Sequence, residues 1–207
     1  AGTATDAAGN DNTVSNTYIL TIDTVNPTIT ISSTTSCGST VDDTTLSYTV
    51  TFSEPVSDFA VGDITVTGTA NGGSPAASNF AGSGATYTFD VVRGSSDGTV
   101  VVSVAAGTAT DVSSNSNIAS NTCTFTVDTV HPIPIITSST DSNGSTVYDL
   151  TLSYTVTFSK PVSDFAVGDI TVTGTANGGS PAASNFAGSG TTYTFDVVKG
   201  SSDGTVV

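Results

Sequence analysis

The chain has almost no positive charge. Its 207 residues include 3 Lys and Arg against 18 Asp and Glu, which gives a formal net charge of −15. A protein that binds nucleic acid through its backbone needs a basic patch to neutralise phosphates, and an anionic membrane surface attracts basic segments. The composition therefore excludes an electrostatic nucleic-acid partner and argues against binding to an anionic membrane.

Residues that carry chemistry are equally scarce. Met and Trp are absent, and His131 is the one histidine. General-base, nucleophilic and zinc chemistry each need clustered partners, and no such cluster is visible, so the sequence predicts no enzyme. No run of residues is long and apolar enough for a membrane-spanning helix, so we expect no membrane insertion.

What the chain has in abundance is self-similarity. Residues 46–101 return as residues 152–207, and residues 1–27 match residues 106–132. The period of about 105 residues is the size of one β-sandwich domain and too long for most solenoid repeats. Within the longer match, Glu54, Ala85 and Arg93 are replaced by Lys160, Thr191 and Lys199.

This period divides the chain into three parts. We expect a C-terminal strand segment of a partial unit at 1–23, a complete domain at 24–129, and a domain at 130–207 that lacks its last strand. The chain then reads as a window on a longer tandem array. The joints contain Pro27 and Pro132, and proline restricts the backbone, so successive domains should form a semi-rigid rod.

Within 24–129, apolar and polar residues alternate with the period of a half-buried strand. The clearest example is 45–52, where Leu46, Tyr48 and Val50 point to one face. Glycine-rich segments at 82–84 and 94–98 are expected to be turns, and no helical periodicity competes. The fold class is therefore all-β, a seven-stranded sandwich with strands at 28–33, 45–52, 63–67, 78–80, 86–92, 99–104 and 122–128.

Several strings carry a family resemblance. TFSEPVSDFAVGDITVTG, SNFAGSGATYTFDV, GTVVVSVAAGTATD and DAAGNDN are similar to the bacterial immunoglobulin-like (Big-type) tandem repeats of giant surface adhesins and biofilm-associated proteins. The resemblance covers essentially the whole chain. It implies tandem seven-stranded immunoglobulin-like β-sandwiches arranged end to end in an extracellular or cell-surface fibre, often with calcium near the joints. It identifies no ligand, because such repeats commonly serve as a stalk.

Oxygen-bearing side chains gather near the joints, as calcium requires. The loop between the last two strands, the linker aspartate and the turn at 54–58 should share one pole of the complete domain. Asp and Asn also occur in loops for purely conformational reasons, and Lys160 replaces Glu54 in the next domain. The candidate metal ligands are Asp23, Glu54, Asp58, Asp111, Asn115 and Asn117, with Asp6, Asn10, Asn12 and Asp128 at the corresponding positions of the other joints.

The two cysteines, Cys37 and Cys123, fall in the same domain. Tyr18 stands where a copy of Cys123 would be, and Ser142 or Asn143 where a copy of Cys37 would be. If the alternation of the neighbouring strands is continued, the side chains of both cysteines face the core. A lone pair of cysteines in an extracellular protein favours a disulfide, and two small buried thiols are the alternative.

These observations favour a structural repeat of an extracellular adhesin or filament that provides length and stiffness. A second hypothesis is a binding module that contacts glycan, ice or another cell surface through the loop at 70–78 or through Thr-rich faces. A third is an accessory domain of a secreted hydrolase.

The expected partners are neighbouring copies of the same repeat, head to tail in a filament or in a continuous chain. Residues 15–23 alternate Tyr18, Leu20 and Ile22 on one face. They are predicted to form the final strand for the 130–207 domain of a neighbour, since an unpaired sheet edge invites strand addition.

Overall fold

The computed structural model describes residues 2–70, 76–176, 182–200 and 202–207. The chain forms two compact units, Ala1–Thr129 and Val130–Val207. Over the described ranges the regular structure is β-strand, apart from single 3₁₀ turns at Val61–Asp63 and Val167–Asp169. No helix in this part of the chain has the length and hydrophobicity needed to cross a membrane.

The first unit is an immunoglobulin-like sandwich of two sheets. One sheet has the strand order first–third–fifth and the other has the order second–seventh–sixth–fourth. Neighbouring strands are antiparallel, except that the second strand runs parallel to the seventh. In chain order the strands are β1 (Ile29–Ser33), β2 (Thr40–Val41), β3 (Thr45–Val56), β4 (Ile64–Thr67), β5 (Ala77–Val92), β6 (Gly98–Val104) and β7 (Cys123–Val127).

The alternating pattern of the sequence builds the core between these sheets. Tyr48 and Val50 of β3 are at most 2% exposed, and the inward residues of β7 are equally buried. The Tyr48 ring stacks on Phe89 at a centroid distance of 5.1 Å and lies 5.9 Å from Phe125. Such aromatic contacts add to the free energy of burial, and they connect the two sheets through one side chain.

Two strand predictions were wrong. The segments 78–80 and 86–92 are one 16-residue strand, β5. Gly82 and Gly84, at φ 124° and 65°, do not end it. The strand continues through them with an irregularity in its pairing with β3. On one side of the irregularity Thr86 pairs with Thr51, and on the other side Gly84 pairs with Val56. The predicted turn at 54–58 is likewise partly strand, because β3 continues to Val56. The short strand β2 was missed, since two residues show no alternation.

The described residues of the second unit form one sheet. Its strands are β8 (Pro134–Ser138), β9 (Thr151–Val162) and β10 (Ala183–Val198), in the order β10-β9-β8, which corresponds to β1-β3-β5. Among the described residues of this unit, the counterparts of β2 and β4 are not strands, and one bridge, Gly174–Val206, stands where β4 would pair with β6. Ile136 is consequently 62% exposed, whereas its counterpart Ile31 is 2% exposed.

Cys37 and Cys123 are joined by a disulfide with a Cα–Cα distance of 5.1 Å. This is the pairing that the sequence favours. Beside it, the N–H of Gly38 donates to the carbonyl of Thr124 at 2.7 Å. The bridge and this hydrogen bond together fix the short parallel pairing of β2 with β7.

The disulfide should contribute substantially to the stability of the first unit. It spans a sequence separation of 86 residues, for which the chain-entropy model gives about 4–5 kcal/mol. Replacing both cysteines by alanine should lower the denaturant midpoint of the first unit accordingly, and reductant should then have no further effect. Denaturant titrations of both proteins, with and without reductant, measure this. Coincident transitions of the wild type and the variant without reductant would contradict this prediction. So would two free thiols, detected by mass spectrometry of the unreduced wild type.

Candidate metal centre

Three carboxylates meet at the pole of the first unit where β1 begins. One oxygen from each of Asp23, Glu54 and Asp111 lies within 4.8 Å of the others. Asp23 comes from the segment before β1, Glu54 from the end of β3, and Asp111 from the loop between β6 and β7. Asp111 is buried and the other two are half-buried, so three different elements converge on one acidic site.

The loop holds Asp111 rigidly. Its Oδ1 accepts the backbone N–H groups of Ser113 and Asn115, each at 2.8 Å, and its Oδ2 accepts the side-chain amide of Asn115 at 2.9 Å. Burial acts to raise the pKa of Asp111, but the hydrogen bonds, led by those from Asn115, outweigh it and leave the pKa below its ordinary value. Asp111 is therefore held as an anion.

Asn115 also ties the segment before β1 to this loop. Its amide nitrogen donates to the main-chain carbonyl of Asp23 at 3.3 Å. A few residues on, the N–H of Ile118 donates to the carbonyl of Pro27 at 2.9 Å. The Asp23 carboxylate accepts the N–H of Val25 at 3.0 Å. These bonds place the Asp23 side chain next to Asp111 as the chain enters β1.

Glu54 experiences the charge of the other two groups. Partial burial first, and then the negative charges of Asp23 and Asp111, raise the pKa of the Glu54 carboxyl above its ordinary value. The one basic residue between positions 1 and 129 is Arg93, and it pairs with Asp42 at 2.8 Å. No basic residue of the first unit therefore neutralises the three carboxylates.

Two predicted ligands, Asp58 and Asn117, accept hydrogen bonds that shape the loop, and Asp58 is not one of the three clustered carboxylates. Asp58 accepts the N–H of Thr110 at 2.7 Å and its hydroxyl at 2.9 Å. The Asn117 side-chain oxygen accepts the N–H groups of Thr108 and Ala109, each at 2.8 Å. Sequence reasoning missed Thr110, although a threonine precedes the loop aspartate in both copies, at Thr5 and at Thr110.

The copy of this loop near the start of the chain has the same internal bonds. The Asp6 carboxylate accepts the N–H groups of Ala8 and Asn10 and the Asn10 amide, all at 2.9 Å, and Asn12 accepts two further N–H groups at 3.0 Å. Hydrogen bonds led by that from the Asn10 side chain lower the pKa of Asp6. Among the residues whose structure is described, no group of three acidic side chains includes Asp6.

The remaining candidates belong to the second joint. Asp128 follows β7, and its N–H donates to the carbonyl of Val41 at 3.1 Å. In the second unit Lys160 occupies the position of Glu54, and its ammonium group donates to the carbonyl of Val130. A positive group therefore stands where the first unit has a carboxylate.

Replacing Glu54 by glutamine should stabilise the metal-free first unit at neutral pH. A carboxyl whose folded pKa is raised stabilises the fold below its unfolded pKa, and that stabilisation is lost as pH rises through the folded pKa. In chelator, the variant should therefore exceed the wild type in melting temperature at pH 7, and the difference should vanish below the ordinary value of 4.5.

Melting curves between pH 4 and pH 8 measure this difference. Asp43→Asn is the matched control, because Asp43 is exposed and lies outside the cluster. A Glu54→Gln effect that is independent of pH, or equal to that of the control, would contradict electrostatic repulsion at the site.

Comparison with known proteins identifies the family of the chain. The family model described as bacterial Ig-like domain matches residues 23–127, more than half of the 207 residues. A solved structure titled marsupial T cell receptor is similar at 12% identity over 86% of each chain, with a TM-score of 0.29. No curated protein matches the chain. The family match begins at Asp23 and contains all three carboxylates, and the chain belongs to the bacterial Ig-like domain family.

Proposed function

We propose that the chain is a structural repeat of an extracellular adhesin or filament, in which each sandwich adds length and calcium at the joint adds stiffness. The observation that carries this proposal is the repetition of a whole domain, with residues 46–101 returning almost unchanged as residues 152–207. An enzyme concentrates its chemistry in one site, whereas repeated domains supply length and surface.

The family, the disulfide and the charge of the chain all agree with an extracellular structural role. Bacterial Ig-like domains are typical of extracellular surface proteins and are typically non-enzymatic. The Cys37–Cys123 disulfide suits an oxidising compartment, because thiols are kept reduced in the cytosol. The sparse positive charge suits a protein that contacts neither nucleic acid nor an anionic membrane surface.

Calcium is the cofactor we propose for the carboxylate cluster. It binds oxygen ligands at about 2.3–2.6 Å, so two ligands of one ion lie at most about 5 Å apart. The oxygens of Asp23, Glu54 and Asp111 meet that limit at 4.8 Å. A cation there would neutralise their repulsion. It would also tie the segment before β1 to β3 and to the β6–β7 loop, which would restrict bending at the joint.

Calcium should raise the melting temperature of the first unit. Extracellular calcium modules bind with Kd values of about 10⁻⁴–10⁻³ M, and a free concentration of 100 times Kd stabilises by about 2.7 kcal/mol. Melting in 10 mM calcium against chelator measures the shift, and magnesium tests selectivity, because it favours a smaller, stricter octahedral site.

The second unit provides the matched control for this experiment. Glu54→Lys copies Lys160 into the first unit, and it should be stable in chelator and insensitive to calcium. Equal melting of the wild type with calcium and with chelator would reject the proposal. So would an undiminished calcium response in the lysine variant.

A binding role is the second candidate, and one observation favours it. Hydroxyl side chains form cross-strand rows on the outer face of the β1-β3-β5 sheet: Thr30, Thr51 and Thr86 in one row, and Ser32, Thr49 and Thr88 in the next. Neighbouring strands are about 4.8 Å apart, so these rows present a regular array. Residues 71–75 of the predicted binding loop at 70–78 lie outside the described residues.

One experiment separates the two roles. A spacer should show no hits on a glycan array and no affinity for ice, whereas a binding module should bind one of them. Binding through the rows should fall at least about tenfold in a Thr49→Val/Thr88→Val variant, since two hydroxyl groups are lost without a change of shape. Specific binding that this variant abolishes would favour the binding role over the structural one.

A further inference from the structure

The chain leaves the first unit through residues that the unit itself holds. Just after β7, the N–H of Asp128 donates to the carbonyl of Val41 at 3.1 Å. The next residue, Thr129, donates its N–H and its hydroxyl group to one carboxylate oxygen of Asp97, at 2.7 Å and 2.6 Å. Hydrogen bonds to a carboxylate are shorter and stronger than those between neutral groups. The main chain is therefore fixed to the first unit as far as Thr129.

A tight turn between β5 and β6 presents Asp97. The next residue is Gly98, with a φ of 152°. An added Cβ there would lie 2.4 Å from the hydroxyl oxygen of Thr69 and 2.7 Å from the main-chain nitrogen of Ala70. The N–H groups of Thr69 and Ala70 both donate to the carbonyl of Thr99, at 2.9 Å and 3.1 Å. The turn is thus packed against the chain that follows β4, which holds Asp97 in place.

The start of the second unit is held in a similar way. The carbonyl of Val130 accepts a hydrogen bond from the ammonium group of Lys160 on β9. Three residues further on, Ile133 donates its N–H to the hydroxyl of Ser159 at 2.9 Å and accepts the N–H of Ser159 at 3.0 Å. Between these points Pro132 restricts the backbone and favours an extended residue before it. The second unit therefore holds the chain from its first residue.

The last residue held by the first unit and the first residue held by the second are consecutive. Because a peptide bond is planar, the soft rotations between them are the ψ of Thr129 and the φ of Val130. Domains on a flexible linker move relative to one another by default. Bonds to both of these residues oppose such motion, since a larger bend requires one of the bonds to break.

We propose that Asp97 and Lys160 stiffen this joint without a metal ion. The carboxylate fixes the path by which the chain leaves the first unit, and the ammonium group fixes the path by which it enters the second. Asp97 precedes β6 and the loop of Asp111 follows it, so this joint and the carboxylate cluster lie at opposite ends of the first unit. The proposal rests on the structural role proposed above, to which it adds a source of stiffness that is independent of calcium.

Relaxation of the backbone amides, measured by nuclear magnetic resonance on the full chain in chelator, tests the proposal. Two units that move as one body share one rotational correlation time, whereas units on a flexible joint each tumble faster. The wild type should give one shared value. In Asp97→Ala both values should fall toward those of units that tumble singly, and the smaller unit, Val130–Val207, should have the lower one. Lys160→Met removes the ammonium group but keeps a long side chain, and it should act in the same way.

The second unit supplies the matched control. Asp203 has the same position in the repeat as Asp97, so Asp203→Ala removes an equal charge from an equivalent turn and should leave the shared value unchanged. Asp97 is exposed, and surface substitutions usually change stability little. The melting temperature of the first unit checks that each variant is folded. Thr129→Val provides a second probe of the same contact, because it loses the hydroxyl bond and should lower the correlation times by less than Asp97→Ala.

Three results would overturn the proposal. The first is a wild type whose units already tumble independently in chelator. The second is an unchanged correlation time in Lys160→Met or in Asp97→Ala, with Thr129→Val deciding if Asp97→Ala does not fold. The third is an equal effect of Asp203→Ala. The calcium-dependent melting of the first unit is a separate readout, so a failure here is distinguishable from a failure of the proposed function.

Discussion

The structure depends on the docking of β7 between β2 and β6. This strand carries Cys123 of the disulfide, and its Phe125 lies beside Tyr48 of the opposite sheet. The chain contains its own comparison, because residues 152–207 have nearly the sequence of residues 46–101, and the described residues of the second unit include no strand equivalent to β7. There the first sheet forms again, but within the described residues the counterparts of β2 and β4 do not become strands. Their strand conformation depends on partners distant in sequence, and local sequence alone does not produce it.

This dependence explains which parts of the fold could be predicted from the sequence. The pattern of β3 alternates clearly from Thr45 to Phe52, and one face of the strand is buried against the opposite sheet. The start of the strand and its inward residues were therefore correctly predicted, whereas its continuation to Val56 was not. Glycine was ambiguous, because its tolerance of positive φ serves an irregularity inside a strand as well as a turn between strands. At Gly82 an added Cβ would lie 2.3 Å from the carbonyl oxygen of Thr86. That close approach of backbone to backbone within β5 cannot be read from the sequence.

At the acidic site, too, only part of the arrangement could be predicted from the sequence. The convergence of Asp23, Glu54 and Asp111 follows from strand order, because the two loops and the segment before β1 share one pole of the sandwich. Asp58 and Asn117 belong to that pole too, yet their oxygens accept N–H groups from Thr110 and from residues 108–109. Which oxygens join the acidic cluster and which accept from backbone N–H groups is decided by the path of the long loop between β6, which ends at Val104, and β7, which begins at Cys123.

The difference between Glu54 and Lys160 has the largest consequence for an array of such domains. The two residues occupy equivalent positions on equivalent strands, but one adds a third carboxylate to an acidic cluster and the other donates from an ammonium group to the carbonyl of Val130. Under the proposed role for calcium, the first arrangement needs an external cation and the second provides its own. Since the surrounding sheet residues are otherwise nearly unchanged, one substitution on β3 can alter the ionic requirement of a joint without altering the sandwich. Stiffness along a chain of these repeats could then be set joint by joint, while the cores that give it length stay the same.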